Sequence, residues 1–156
     1  MAYEIDEIDR RIVAALQRDA SLSVDQLSEE VHLSRNACWR RVKLMEDEGI
    51  ITGRVALVDA ERLGYGLSVF ILVRTTHHEP GWLDRFRTAV QAIPEIQGVY
   101  RMSGDLDYVL RARVPDVKAY DRLYQRLIAK VPLSDVSASF VMEEIKETMM
   151  LPPIVR

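Results

Sequence analysis

One cysteine, Cys38, occurs in the 156 residues. A single thiol can form neither an intrachain disulfide nor a cysteine-based zinc site, so the fold must rest on apolar packing. No apolar run approaches the roughly 20 residues that a membrane span needs. Met1 to Arg11 is acidic and holds no apolar stretch of the kind a signal peptide carries, so a cytoplasmic location away from membranes is the expectation. The chain has no P-loop, no Gly-x-Ser-x-Gly elbow and no spacing of metal ligands. The expectation is therefore no catalytic residue, no cofactor and no metal. Bulk positive charge is missing as well: the formal net charge is -3, which by itself does not suggest a polyanionic partner.

What is present is an ordinary globular composition, 48% hydrophobic and 29% charged, long enough for one large domain or two small ones. The charge is unevenly placed. Residues 34–43 (SRNACWRRVK) hold four cations and no acid, between the acidic stretches Asp25–Glu30 and Glu46–Glu48. A short basic face on an acidic module is a footprint for phosphate contact, and equally the pattern of a solvated helix face.

The first third reads as three helices. Ile5, Ile8, Ile12 and Leu16 recur at helical spacing over 5–18. Ser23-Val24-Asp25-Gln26 is a capping-box pattern that opens a short helix carrying Val24, Leu27 and Val31 on one stripe. Ser34 is a good N-cap for a third helix over about 35–48, which Gly49 ends. On that third helix Cys38, Val42 and Met45 share one face and predict an inward stripe, with Cys38 an inert buried thiol. Asn36, Trp39, Arg40 and Lys43 fall on another face, at i, i+3, i+4 and i+7. With Ser34 and Arg35 these groups suit a major groove, with amide and guanidinium turned to base edges and cations to phosphate. Residues 50–58 (IITGRVALV) alternate loosely and predict a small hairpin or wing that brings Arg54 to the same side. The two short helices and tight turn outline a helix-turn-helix, a shape some three-helix domains share without touching DNA. Arg41 lies nearer the inward edge, where a bridge to Asp6 or Asp9 and a phosphate contact both remain open.

Beyond Leu63-Gly64-Tyr65-Gly66 the pattern changes. Residues 67–74 (LSVFILVR) predict a strand and 80–93 a helix broken by Pro94; 96–103 and 108–114 predict two strands joined by the Gly104-Asp105-Leu106-Asp107 turn. A helix over 116–130 and a strand over 136–146 follow. The order βαββαβ is that of a ferredoxin-like unit, one antiparallel sheet with both helices on one face. The fold class is thus α+β: a winged helix-turn-helix over 1–52, a wing strand and linker over 53–66, and a ferredoxin-like domain over 67–156. The Val69 and Ile71 side is expected to be the open face of the sheet, covered by a second copy in a two-fold dimer.

Taken together, Ile8-Asp9-Arg10-Arg11-Ile12, Leu33-Ser34, Arg41-Val42, Glu46-Asp47-Glu48-Gly49-Ile50-Ile51 and Leu63-Gly64 carry a resemblance over nearly the whole chain. Ser103-Gly104-Asp105-Leu106-Asp107-Tyr108, Arg113-Val114-Pro115-Asp116 and Val141-Met142-Glu143-Glu144-Ile145-Lys146 complete it. The sequence resembles the Lrp/AsnC (feast/famine) family of transcriptional regulators. The resemblance implies a dimer that assembles further, often to an octamer, and that binds double-stranded DNA at genes of amino-acid metabolism. It also implies an amino-acid effector held between dimers, beside the turn Ser103 to Tyr108. The run Val73 to His78, with Trp82, Tyr100-Arg101-Met102 and Ser137 to Phe140, is similar to a cysteine-responsive branch. That similarity places cysteine ahead of leucine or another apolar amino acid as the effector. The stretch Val131 to Asp135 departs from the family in lacking a glycine after its proline, which bears on the last turn only.

At the turn, backbone amides and Ser103 suit a carboxylate, and Asp105 or Asp107 suits an ammonium group. A plain hairpin turn whose acids cap amides is the simpler alternative. Tyr100, Met102, Ser139 and Val141 are candidate pocket walls or dimer core. His77-His78 on an extended chain point apart and predict a loop pair without metal. Met149-Met150 is expected to pack in an interface. Two rival functions remain at this point: an effector-binding assembly protein without useful DNA affinity, and a small enzyme on the same fold.

Overall fold

The computed structural model describes residues 3–76 and 79–152, so His77 and His78 lie outside the described residues. Nine elements follow in order. They are α1 (Glu7–Arg18), α2 (Val24–Val31), α3 (Arg35–Asp47), β1 (Leu67–Arg74), α4 (Pro80–Gln91), β2 (Ile96–Arg101), β3 (Tyr108–Val114), α5 (Val117–Ile128) and β4 (Asp135–Phe140). Among the described residues two compact units result, one comprising the chain up to Leu57 together with 146–152, the other Val58–Ile145. Within the first unit the Leu151 amide donates to Gln17 Oε1 at 2.8 Å.

Caps set the boundaries of the first unit. The α1 helix starts at Glu7 rather than at residue 5, because Asp6 and Asp9 form a reciprocal capping box. Ser23 and Gln26 do the same for α2, which stops at His32 in a left-handed conformation (φ 57°). Ser34 Oγ accepts the Ala37 amide at 3.3 Å and opens α3. Ile12, Ala15, Leu27, Val31, Cys38, Val42 and Met45 form the core where the three helices meet. After α3, Gly49 turns the chain at φ 71°, and the amides of Ile50 and Ile51 both donate to the Met45 carbonyl. The hairpin expected within 50–58 does not form. Residues 53–59 are exposed and form no helix or strand, Leu57 being 84% exposed. The next apolar run, Leu67–Arg74, follows the turn at Ala60–Gly64 and pairs with β3 and β4 instead.

In the second unit all strands pair antiparallel in the order β2-β3-β1-β4. Both helices cover one face. Trp82, Phe86, Ala89 and Val90 of α4 and Ala119, Leu123 and Leu127 of α5 pack on Val69, Ile71, Val73, Leu110, Ala112 and Val114. Trp82 stacks on Phe86 at 5.1 Å, Tyr108 tilts against both, and Trp82 Nε1 donates to the Pro132 carbonyl at 2.8 Å. Burying each large side chain contributes about 1.5–3 kcal/mol, so this cluster anchors the domain. The open face is therefore the opposite of the one expected. Val69 and Ile71 are fully buried under the helices, whereas Phe70, Leu72, Val109, Arg111 and Arg113 are left half-buried or exposed. In β1 almost every residue is apolar, so its alternation does not say which face is inward. The last strand ends at Phe140 rather than at residue 146, although the Val141 amide still donates to the Ser68 carbonyl at 2.9 Å.

Candidate functional site

Two surfaces, one in each unit, gather the chemistry. On α3, Ser34, Arg35, Asn36, Trp39, Arg40 and Lys43 are all exposed, and Trp39 stands 56% exposed. A large aromatic left in solvent beside an amide and three cations makes an unusual helix face. The opposite edge is pinned. Arg41 Nη1 lies 2.7 Å from Asp6 Oδ2 and 2.8 Å from Asp9 Oδ1, so the bridge to α1 describes Arg41. Asp9 is buried and also accepts the Tyr3 hydroxyl at 2.7 Å and the Asp6 amide at 3.1 Å. Burial and the Asp9 carboxylate push the Tyr3 hydroxyl up to about 12. The Asp9 amide and the Arg41 guanidinium hold the Asp6 carboxyl below its usual range. Arg11 Nη2 meanwhile donates to the Val31 carbonyl at 3.1 Å, tying α1 to the end of α2. The orientation of α3 thus follows from polar contacts on one side and the Cys38–Val42–Met45 stripe on another. Burial pushes the Cys38 thiol up, as suits a packing residue.

In the second unit the turn after β2 is held from three sides. The Met102 amide donates to the Asp107 carbonyl at 2.9 Å and the Asp107 amide to the Val73 carbonyl at 3.0 Å. Asp107 Oδ2 accepts the Thr75 amide at 2.8 Å. Arg74 Nε donates to the Asp105 carbonyl at 3.0 Å while its Nη1 pairs with Asp135 at 2.9 Å. Asp107 Oδ2 thus caps an amide at the end of β1, and Asp105 stands exposed at the turn. Gly104 sits at φ 98°, where a side chain is strained. The amides of Ser103, Gly104, Asp105 and Leu106 have no acceptor among the described residues. These amides are therefore open to solvent or to an acceptor brought by a ligand. Tyr100 and Met102 stand exposed beside the turn.

Ser139 and Val141 are not brought to this turn. Ser139 pairs with Phe70, five residues before Thr75 and roughly 16 Å down the strand. Arg74 is the contributor that sequence reasoning missed: its link to Asp105 spans 31 residues, and only the strand register reveals it. Among the described residues no group of His, Cys, Asp and Glu could hold a metal ion. No helix among them is long and apolar enough to cross a membrane.

A helix-turn-helix whose third helix leaves an amide, an aromatic and three cations exposed, followed along the chain by a ferredoxin-like domain, points to the class of DNA-binding regulators. Comparison with known families agrees. Residues 5–52 match the winged helix-turn-helix DNA-binding model and residues 68–151 the Lrp/AsnC ligand binding domain. The chain belongs to the Lrp/AsnC family and is a DNA-binding transcriptional regulator. It is 49% identical to the DNA-binding transcriptional activator DecR of Escherichia coli K12, over 95% of this chain and 98% of that protein. It is 38% identical to the leucine-responsive regulatory protein of the same organism, over 95% and 91%. An AsnC family regulator from Agrobacterium tumefaciens superposes with a TM-score of 0.91 at 47% identity, over 95% and 97% of the two chains. A regulator from Neisseria meningitidis solved in complex with L-methionine gives a TM-score of 0.91 at 33% identity, over 96% and 97%.

Proposed function

We propose that this regulator controls genes of amino-acid metabolism by binding a free amino acid at the Ser103–Asp107 turn, and that it reads the duplex with Ser34, Arg35, Asn36, Trp39, Arg40 and Lys43, aided by Arg54. The observation that carries the effector reading is the row of four unaccepted amides at a turn clamped by Arg74 and Asp107. A carboxylate fits those amides, Asp105 answers the ammonium group, and Tyr100 and Met102 offer an apolar wall for a thiol or thioether side chain. Cysteine stands first and an apolar amino acid second; the L-methionine bound by the Neisseria relative supports this chemical class. Ser139 and Val141 would enter such a pocket only from another copy.

Two copies stack through the Phe70, Leu72 and Val109 face, and the dimers assemble further to an octamer. Support comes from the apolar residues on that face and from the exposure of Met142, Ile145, Met149, Met150 and Leu151. The role is one of binding rather than turnover, so the amino acid should be recovered unchanged. The test is a thermal-stability screen of the full chain with each of the twenty amino acids, since a ligand of the native state raises the melting point. Cysteine, under reducing conditions, is expected to give the largest rise; no rise with any of them overturns the effector reading. For the DNA face, the Arg40→Ala, Lys43→Ala double variant should bind duplex more weakly and with a shallower salt dependence, by about one for each phosphate no longer neutralised. Unchanged affinity overturns that assignment.

A further inference from the structure

Three of the four cations on the α3 side are already engaged by carboxylates. Arg35 Nε lies 3.1 Å from Asp25 Oδ1, Lys43 Nζ 2.8 Å from Asp47 Oδ1, and Arg54 Nη2 2.9 Å from Glu46 Oε1. Only Arg40 has no ionic partner among the described residues. Residues 3–57 as a whole hold eight Arg and Lys against eleven Asp and Glu. Counterion release, which drives sequence-independent binding to duplex, scales with the phosphates that Lys and Arg neutralise, so cations already held by carboxylates contribute less of it. Yet the same cations sit on the face assigned to DNA.

A carboxylate oxygen about 3 Å from a guanidinium or ammonium group occupies the position a phosphate oxygen would take. The Arg35–Asp25 and Lys43–Asp47 pairs are exposed and Glu46 is half-buried; exposed pairs are worth only about 0–1 kcal/mol, so exchange of carboxylate for phosphate is easy at the first two. The displaced carboxylate nevertheless stays within about 8 Å of the phosphate, inside the screening length at physiological salt, and repels it. A duplex that offers only its backbone meets this repulsion without compensation. A duplex that also matches the edges read by Asn36, Trp39 and Arg40 has base contacts to offset it.

We infer that Asp25, Glu46 and Asp47 are specificity-determining residues: they occupy the phosphate-binding cations of the recognition face and thereby suppress binding to non-cognate DNA. The inference rests on the assignment of that face to DNA in the preceding section. It is tested with the full chain by fluorescence anisotropy over a range of KCl concentrations. The probes are a duplex selected by the wild-type protein from a random pool and a scrambled duplex of the same length. The D25N/E46Q/D47N variant should bind the scrambled duplex at least tenfold more tightly at low salt, with a steeper salt slope, while affinity for the selected duplex rises less. D25N and D47N singly should each give about a threefold gain on the scrambled duplex, which covers a triple variant that does not fold. The E4Q/E7Q/E29Q variant removes the same net charge from exposed acids that have no ion-pair partner among the described residues, and should change scrambled-duplex binding less than twofold. No gain in the paired-acid variants, or an equal gain in the control, overturns the inference. A wild-type protein whose binding is indifferent to Arg40→Ala would instead overturn the face assignment, so the two failures are distinguishable.

Discussion

Arg41 on α3 and Asp9 on α1 lie 2.8 Å apart, with the Asp9 side chain 1% exposed and that of Arg41 26% exposed. The asymmetry of burial makes the pair more sensitive to loss of the cation than of the acid. In Arg41→Ala a buried carboxylate keeps only the Tyr3 hydroxyl and the Asp6 amide, and the expected cost is about 3 kcal/mol. Asp9→Asn keeps an acceptor for those donors and should cost less, about 1–2 kcal/mol. Urea unfolding measures both as shifts of midpoint at constant slope. The double variant should cost less than the sum of the singles, because the two side chains share one interaction. Strict additivity would show that the pair is not coupled.

Asp6 makes the same cluster sensitive to acid. Its carboxyl titrates lower in the folded chain than in the unfolded one, chiefly through the Asp9 amide and then through Arg41. The unfolded chain therefore binds the proton first, and lowering the pH favours unfolding. The contribution of Asp6 is fully present above the ordinary carboxylate value of about 4 and disappears as the pH falls through the lower, folded value. Asn is an equally good helix cap, so Asp6→Asn removes the charge while leaving the N-cap in place. The stability difference between wild type and Asp6→Asn should be flat from about pH 5 to 7 and shrink below about pH 4. A difference that widens in acid contradicts this account.

These two residues also illustrate what could be read without coordinates. Caps and turns were legible because their chemistry is local: Ser23 with Gln26, Ser34, Gly49 and the βαββαβ order all follow from neighbours in sequence. Asp6 and Asp9 were legible as candidate partners of Arg41, and the structure chose between bridge and phosphate contact. The inward face of β1 was not legible, since Phe70 and Leu72 are as apolar as Val69 and Ile71 and only helix coverage separates them. The 50–58 run had the composition of a strand, but among the described residues it has no strand partner, since the next apolar run, Leu67–Arg74, pairs with β3 and β4. Of the acids on the recognition face, Asp47 was readable at i+4 from Lys43. The Arg54–Glu46 and Arg35–Asp25 pairs depend on how loop and helix meet. The clamp of Arg74 on Asp105 required the register of two strands.

Cys38 gives a third prediction. Its side chain is fully buried in the α3 stripe and burial pushes its thiol up, so little thiolate exists at neutral pH. A thiol reagent should modify the native protein only at the rate of unfolding, and modification should accelerate in step with urea. Cys38→Ala should lower stability by about 1 kcal/mol, since a small buried group is removed, and leave DNA affinity unchanged. Rapid labelling of the native protein, with loss of DNA binding, would instead point to a redox role for this thiol.

Asp107 supplies the last test, because its two possible roles diverge on one substitution. If its carboxylate acts by capping the Thr75 amide, Asp107→Asn retains an acceptor at the same place and keeps the turn, so the amino-acid-induced rise in melting point should fall less than threefold in apparent affinity. Asp107→Ala removes the acceptor and frees the turn from the end of β1, so the rise should be lost while DNA affinity without effector stays within about twofold. If the negative charge itself received an ammonium group, Asn would lose as much as Ala, since a neutral amide cannot replace the ion pair. Asp105→Asn completes the comparison: its carboxylate is the one left exposed at the turn, and the capping account requires its loss to weaken the effector response more than Asp107→Asn does.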